Sequence, residues 1–101
     1  MKTLNSAQAS ELSTGTSLKG YINGTYSQLI EILGEPTYNE TSGDGKVNFE
    51  WVVESNGEIF TVYDWKTYSA MYSMEGLTTW NVGGKTSAFD FIQEVEKLIN
   101  K

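Results

Sequence analysis

The 101 residues predict a single α+β domain: a small antiparallel sheet packed by two helices, in the order β-α-β-β-β-α behind a flexible N-terminal arm. Three observations predict it. Val47, Phe49, Trp51 and Val53 alternate with Asn48, Glu50, Val52 and Glu54, which is the period of a strand. Asn56-Gly57 follows, the strongest short hairpin signal, and Ile59 to Lys66 supplies the return strand. Two segments, around residues 25–34 and 87–99, instead carry apolar residues at helical spacing.

Residues 1–15 are rich in Ser, Thr, Ala, Gln and Glu without a sustained period, and read as a flexible arm; residues 16–101 are the domain. Ser17 to Ile22 reads as the first strand, with Gly20 marking a bulge or a close backbone approach. Thr25 and Gln28 have the spacing of a capping box. Tyr26, Leu29, Ile30 and Leu33 form the apolar face of the helix they open, Gly34 closes it, and Pro36 forbids continuation. Residues 37–45 are a polar loop, with Asp44 as turn chemistry between two glycines. Residues 67–77 read as a longer loop carrying Tyr68, Met71, Tyr72 and Met74. Thr78 to Val82 is a fourth strand, and Gly83-Gly84-Lys85 leads into the last helix, whose start Ser87 and Asp90 can cap.

The hairpin fixes a register. With Asn56-Gly57 as a two-residue turn, Ser55 pairs with Glu58, Trp51 with Val62, Phe49 with Asp64 and Val47 with Lys66. One face then carries Val47, Phe49, Trp51, Val53, Phe60 and Val62, and takes the helices; the other carries Asn48, Glu50, Val52, Glu54, Ile59, Thr61, Tyr63 and Trp65. Asp64 and Lys66 fall at the end of the core-facing side. There they pair, or Lys66 reaches out over the sheet edge, or the two form a polar pocket in which Asp64 accepts a ligand's donor and Lys66 meets an anion.

Composition excludes several kinds of chemistry. The chain has no histidine, removing the commonest general base, and no cysteine, so no thiolate nucleophile and no disulfide. Most transition-metal sites are excluded with them, and no dense acidic loop marks a calcium site; no metal and no cofactor is expected. Thirteen acidic residues against seven basic ones give a net charge of −6, and every basic residue is lysine. A negative chain without arginine is a poor reader of nucleic acid. Its acidic surface is either ordinary solubility charge or a face for a basic partner, in the extreme an imitation of nucleic acid. No apolar run approaches the roughly 18 residues that span a bilayer, and no signal peptide opens the chain, so no membrane role and a cytoplasmic location are expected.

Two groups of residues remain for binding. Gly83-Gly84-Lys85-Thr86-Ser87 resembles half of a phosphate loop, but Thr79 stands where the full motif needs a glycine; what survives is an anion site at a helix start, or a plain glycine turn and cap. The aromatics Tyr63, Trp65, Tyr68, Tyr72 and Trp80 cluster in the sheet region and its following loop, where they line either a contact surface or a satellite core. The candidate binding set is therefore Tyr63, Asp64, Trp65, Lys66, Tyr68, Tyr72, Trp80, Asn81, Gly83, Gly84, Lys85 and Thr86. No residue is assigned a catalytic role.

Gly20-Tyr21, Thr25-Tyr26, Gly34-Glu35-Pro36, Glu50-Trp51, Tyr63-Asp64-Trp65-Lys66 and Trp80-Asn81-Val82-Gly83-Gly84 occur in that order. In this the chain, over roughly Leu18 to Ile99, resembles a group of small bacteriophage-encoded proteins of unassigned activity. Where those proteins typically carry His, this chain has Asn81. The resemblance implies a viral origin and action in the host cytoplasm. Together with the composition it leads to the expectation of a non-enzymatic protein that counters host defence or redirects a host factor, by binding and inhibiting a host protein through an acidic, aromatic surface. The alternative is a sponge for a small anionic, nucleotide-like signalling ligand. An exposed edge at the first or fourth strand would allow a homodimer.

Overall fold

A computed structural model describes residues 1–101 apart from Ser42 and Asp44, so the turn expected at Asp44 lies outside the described residues. In chain order the elements are β1 (Lys2–Thr3), α1 (Ser6–Leu12), β2 (Ser17–Asn23), α2 (Tyr26–Leu33), β3 (Glu50–Ser55), β4 (Glu58–Tyr63), α3 (Ala70–Glu75), β5 (Thr79–Gly84) and α4 (Phe89–Ile99). The strands form one sheet in the order β1-β3-β4-β5-β2, every neighbouring pair antiparallel. The α+β class holds.

The hairpin forms as its turn chemistry dictates. Asn56 and Gly57 both take positive φ, at 53° and 79°, and Ser55 pairs with Glu58 and Trp51 with Val62. This register turns Phe49, Trp51, Val53, Phe60 and Val62 to one face, where they join Ile22, Trp80 and Val82 from the other strands and Leu29, Leu33, Phe91 and Val95 from α2 and α4. Trp51 and Trp80 meet edge to face with centroids 5.5 Å apart, and Phe60 stacks on Phe91 at 4.6 Å. Each buried indole N–H also finds a carbonyl: Trp51 donates to Gly34 and Trp80 to Gly24, at the two ends of α2. The Thr25–Gln28 capping box opens that helix with both reciprocal bonds in place, and Gly34 at φ 82° ends it.

Four expectations are corrected. Residues 1–15 are not a loose arm. Asn5 and Gln8 form a second capping box, β1 pairs with β3, and Leu4 and Ala9 bury against Val52 on the far side of the sheet. Residues 67–77 are not all loop: Ser69 accepts from the Tyr72 N–H and caps α3. The last strand runs on through Gly83 and Gly84, and α4 starts only at Phe89, behind Ala88; the Ser87 hydroxyl accepts from the Phe89 N–H, and Asp90 sits in the first turn. Finally, β5 lies inside the sheet, so of the two strands expected at an edge only β2 is there. One backbone N–H of β2, that of Asn23, is taken by the Glu96 carboxylate. The bulge expected at Gly20 is present between Leu18 and Gly20. Among the described residues no helix is long and apolar enough to cross a membrane.

Candidate functional site

The Tyr63–Lys66 segment divides by the pleat of β4. Tyr63 and Trp65 emerge on the outer face, opposite the core, with their rings edge to face at 6.3 Å. Asp64 turns the other way and is fully buried. Its carboxylate is filled by donors: one oxygen accepts the backbone N–H groups of Asn48 and Phe49 at 2.8 and 2.9 Å, and the other accepts Asn48 Nδ2 at 2.9 Å, Ser73 Oγ at 2.6 Å and Thr67 Oγ1 at 3.3 Å. Lys66 is not its partner. The Lys66 N–H bonds to the Lys46 carbonyl, one residue off the hairpin register, and its ammonium lies 5.7 Å from the Trp65 ring, which Lys46 also approaches at 5.8 Å. Asp64 therefore ties Asn48, Phe49 and α3 to the end of the sheet, with no ion pair among the described residues and no open acceptor for a ligand.

That tie has a visible consequence in α3. Its one buried residue is Ser73, which is held on Asp64. The large apolar side chains around it face solvent: Tyr68 is 63% exposed and Met71 68%, with Trp65, Tyr72 and Met74 close to half exposed. An amphipathic helix normally buries its apolar stripe; α3 buries a hydroxyl and shows its apolar residues. The approach to it is strained, since Lys66 and Tyr68 both hold positive φ, 55° and 56°, a region side-chain-bearing residues avoid.

The remaining candidates scatter. Trp80 is a core residue. Asn81 lies on the outer face between Tyr63 and Tyr21. Gly83 sits beside it on that face, where a Cβ would meet Thr61 Oγ1 at 2.5 Å, whereas Gly84 backs onto Phe60 of the core. Lys85 and Thr86 are exposed at the other end of the sheet. Gly84 pairs with Phe60 and Asn81 with Tyr63, three rungs apart, or about 10 Å along the strand. Lys85 lies beyond one end of that span and Lys66 beyond the other, so the two lysines do not converge.

Sequence reasoning missed the residues that complete the outer face. The Tyr38–Glu50 bridge and the β3–β4 and β4–β5 pairings set Tyr38, Glu50, Tyr63, Asn81 and Tyr21 in one cross-strand row. Two clefts open along this row, of about 600 and 240 Å³, and Val47 and Glu50 line both. Tyr38, Asn39, Glu40, Thr41 and Asn48 help line the larger; Thr61, Tyr63, Trp65 and Gly83 help line the smaller. Burial pushes the Glu50 carboxyl above the usual glutamate range, and the nearby Asp64 charge adds to it. The signal in the sequence was the hairpin register, which already set Glu50, Tyr63 and Trp65 on one face. Among the described residues no group of three metal-ligating side chains converges. Comparison with protein-family models, with curated proteins and with solved structures returned no match.

Proposed function

We propose that this chain is a non-enzymatic protein-binding domain that docks through the exposed face of α3 together with Trp65. The observation that carries the reading is the inversion of α3: Tyr68, Met71, Tyr72 and Met74 face solvent around a single buried Ser73. Clustered exposed aromatic and methionine side chains mark interaction surfaces, because they offer large apolar area, and methionine adapts its shape to a partner. The strained backbone at Lys66 and Tyr68, held in place by the Asp64 bonds, supports the same reading. The lack of histidine and cysteine supports a role without catalysis. The resemblance to small bacteriophage proteins suggests the partner: a host protein in the bacterial cytoplasm, a defence component or another factor worth redirecting. Capture of a small anion has less behind it, since Lys66 and Lys85 lie at opposite ends of the sheet and Asp64 has no acceptor to spare.

The test is a two-arm incubation of the purified chain, first with bacterial host lysate and then with its small-molecule fraction. A stable protein complex, formed by the natural chain and lost in a Met71→Ser/Tyr72→Ser variant of unchanged melting temperature, is expected. A nucleotide released on denaturation, with no protein complex, overturns the reading in favour of a ligand sponge.

A further inference from the structure

Glu50 is hard to explain as a structural residue. It is half-buried in the row on the outer face, yet its carboxylate makes no hydrogen bond or ion pair with any described residue. No buried side-chain oxygen among the described residues lacks a partner, so the Glu50 oxygens open to the solvent of the groove, and its walls remove only part of their hydration. The contrast with Asp64 is direct: Asp64 is fully buried and receives five hydrogen bonds, whereas Glu50, next along the same end of the sheet, receives none. Among the described residues no ion pair is formed by either carboxylate. Lys46 and Lys66 approach the Trp65 ring, and no lysine lines either cleft.

The surroundings of Glu50 define what would match it. Its backbone is bridged to Tyr38 on one side, with bonds of 2.9 and 3.0 Å, and paired with Tyr63 on the other. Cross-strand neighbours point to the same side of a sheet, so the Glu50 side chain projects between those of Tyr38 and Tyr63. The clefts on either side meet at Glu50 and Val47, and Gly83 keeps the floor of the smaller one free of a side chain. A carboxylate between aromatic faces in an open groove complements a cation that is partly apolar. The carboxylate offsets its charge, the rings attract it through their faces, and Val47 and the Tyr side chains take its methylenes. A neutral ligand would leave the Glu50 charge unmatched, and a metal ion would need more oxygen ligands than the row provides.

We propose that the outer-face groove is a binding site for an alkylammonium group, with Glu50 as the counter-charge and Tyr38 and Tyr63 as its walls. Two sources carry this chemistry: the lysine side chain of a protein partner and a free polyamine. The site is separate from the α3 face, and either can exist without the other.

The full chain would be titrated with capped tri-lysine and, separately, with spermidine, following the amide and ring resonances of Tyr38, Glu50 and Tyr63. Saturable shifts centred on these residues are expected. Glu50→Gln should weaken binding by about tenfold or more, equivalent to about 1.4 kcal/mol, without loss of folding. Because an acidic chain attracts polycations generally, Glu94→Gln on the exposed face of α4 removes the same charge elsewhere and should leave the affinity within about twofold at 0.15 M salt. Binding of the peptide alone identifies a partner's side chain as the source, and binding of spermidine alone identifies a free amine. Absence of saturable shifts with both ligands, or equal weakening by Glu94→Gln and Glu50→Gln, overturns the proposal. No protein partner enters this titration, so its failure leaves the docking role of α3 standing, and the lysate experiment leaves the groove untouched.

Discussion

Helices α2 and α3 begin alike and end with opposite roles. Both are short, and both open on a hydroxyl that accepts an N–H of the first turn, Thr25 for α2 and Ser69 for α3. Yet α2 buries Leu29 and Leu33 and receives two tryptophan N–H groups at its ends, while α3 buries only Ser73 and turns Met71, Tyr72 and Met74 outward, beside the exposed Tyr68 that precedes it. Capping says where a helix starts; what holds it to the sheet differs. For α2 the buried side chains are apolar, and for α3 the one buried side chain is a serine bonded to a carboxylate. An element fixed by hydrogen bonds rather than by its apolar side chains leaves those side chains available for something else.

The comparison can be broken most severely at Asp64. Asp64→Ala removes the acceptor for five hydrogen bonds and leaves buried donors unmatched at Asn48 and Phe49, for an expected loss of about 4 kcal/mol. Hydrogen exchange should show early opening of α3 and of the Asn48 and Phe49 amides, with α2 still protected. Exchange that rises equally in both helices would mean that α3 is not held separately. At α2, Leu29→Ala creates a cavity under the sheet and should cost about 3 kcal/mol by chemical denaturation. Here the loss should appear as global unfolding, with no early opening confined to one element. Third in size, Met71→Ser/Tyr72→Ser removes two exposed apolar side chains and should change stability by less than about 0.5 kcal/mol. A large loss in that variant would show that α3 packs through these residues after all.

How far the sequence carried these assignments depended on whether each signal was local. The hairpin, its register from Glu50 to Tyr63, the two faces over that span and the capping of α2 were legible, because Asn56-Gly57 and Thr25…Gln28 act over two to four residues; farther from the turn the count failed, since Val47, expected on the core side opposite Lys66, lines the outer-face clefts and Lys66 bonds to Lys46 instead. The N-terminal segment was not legible. Its Asn5…Gln8 box is as good as the one at Thr25, but α1 has only Ala9 to bury, and its reason to fold is Val52 on a strand more than forty residues away. The unclaimed apolar Val52 and Ile59 on the outer face were the hint that something must cover them. Likewise α3 has no inward apolar stripe to read, since its anchor is a serine. The scatter of Lys66 and Lys85 follows from Gly83 and Gly84 continuing β5, which their composition alone argues against.

The smallest expected effect concerns the two carboxylates, and its sign separates them. Above the ordinary glutamate pKa the unfolded chain ionises Glu50 freely, while burial holds the native carboxyl protonated to higher pH. Between those two values the native state binds more protons than the unfolded state. Stability contributed by this group therefore falls as pH rises through that window, and the full penalty stands above it. Glu50→Gln removes the charge and should raise the melting temperature slightly at neutral pH. That advantage should shrink as pH is lowered through the window and vanish below it. A parallel pair of melting curves from pH 4 to pH 8 measures this directly. A Gln variant less stable than the natural chain at pH 7 would mean that Glu50, like Asp64, is held by the fold, and the reason to assign it a ligand would disappear. A more stable variant that also loses alkylammonium binding would show one residue trading stability for recognition, while Asp64, a short step away in the same sheet, spends its charge on structure alone.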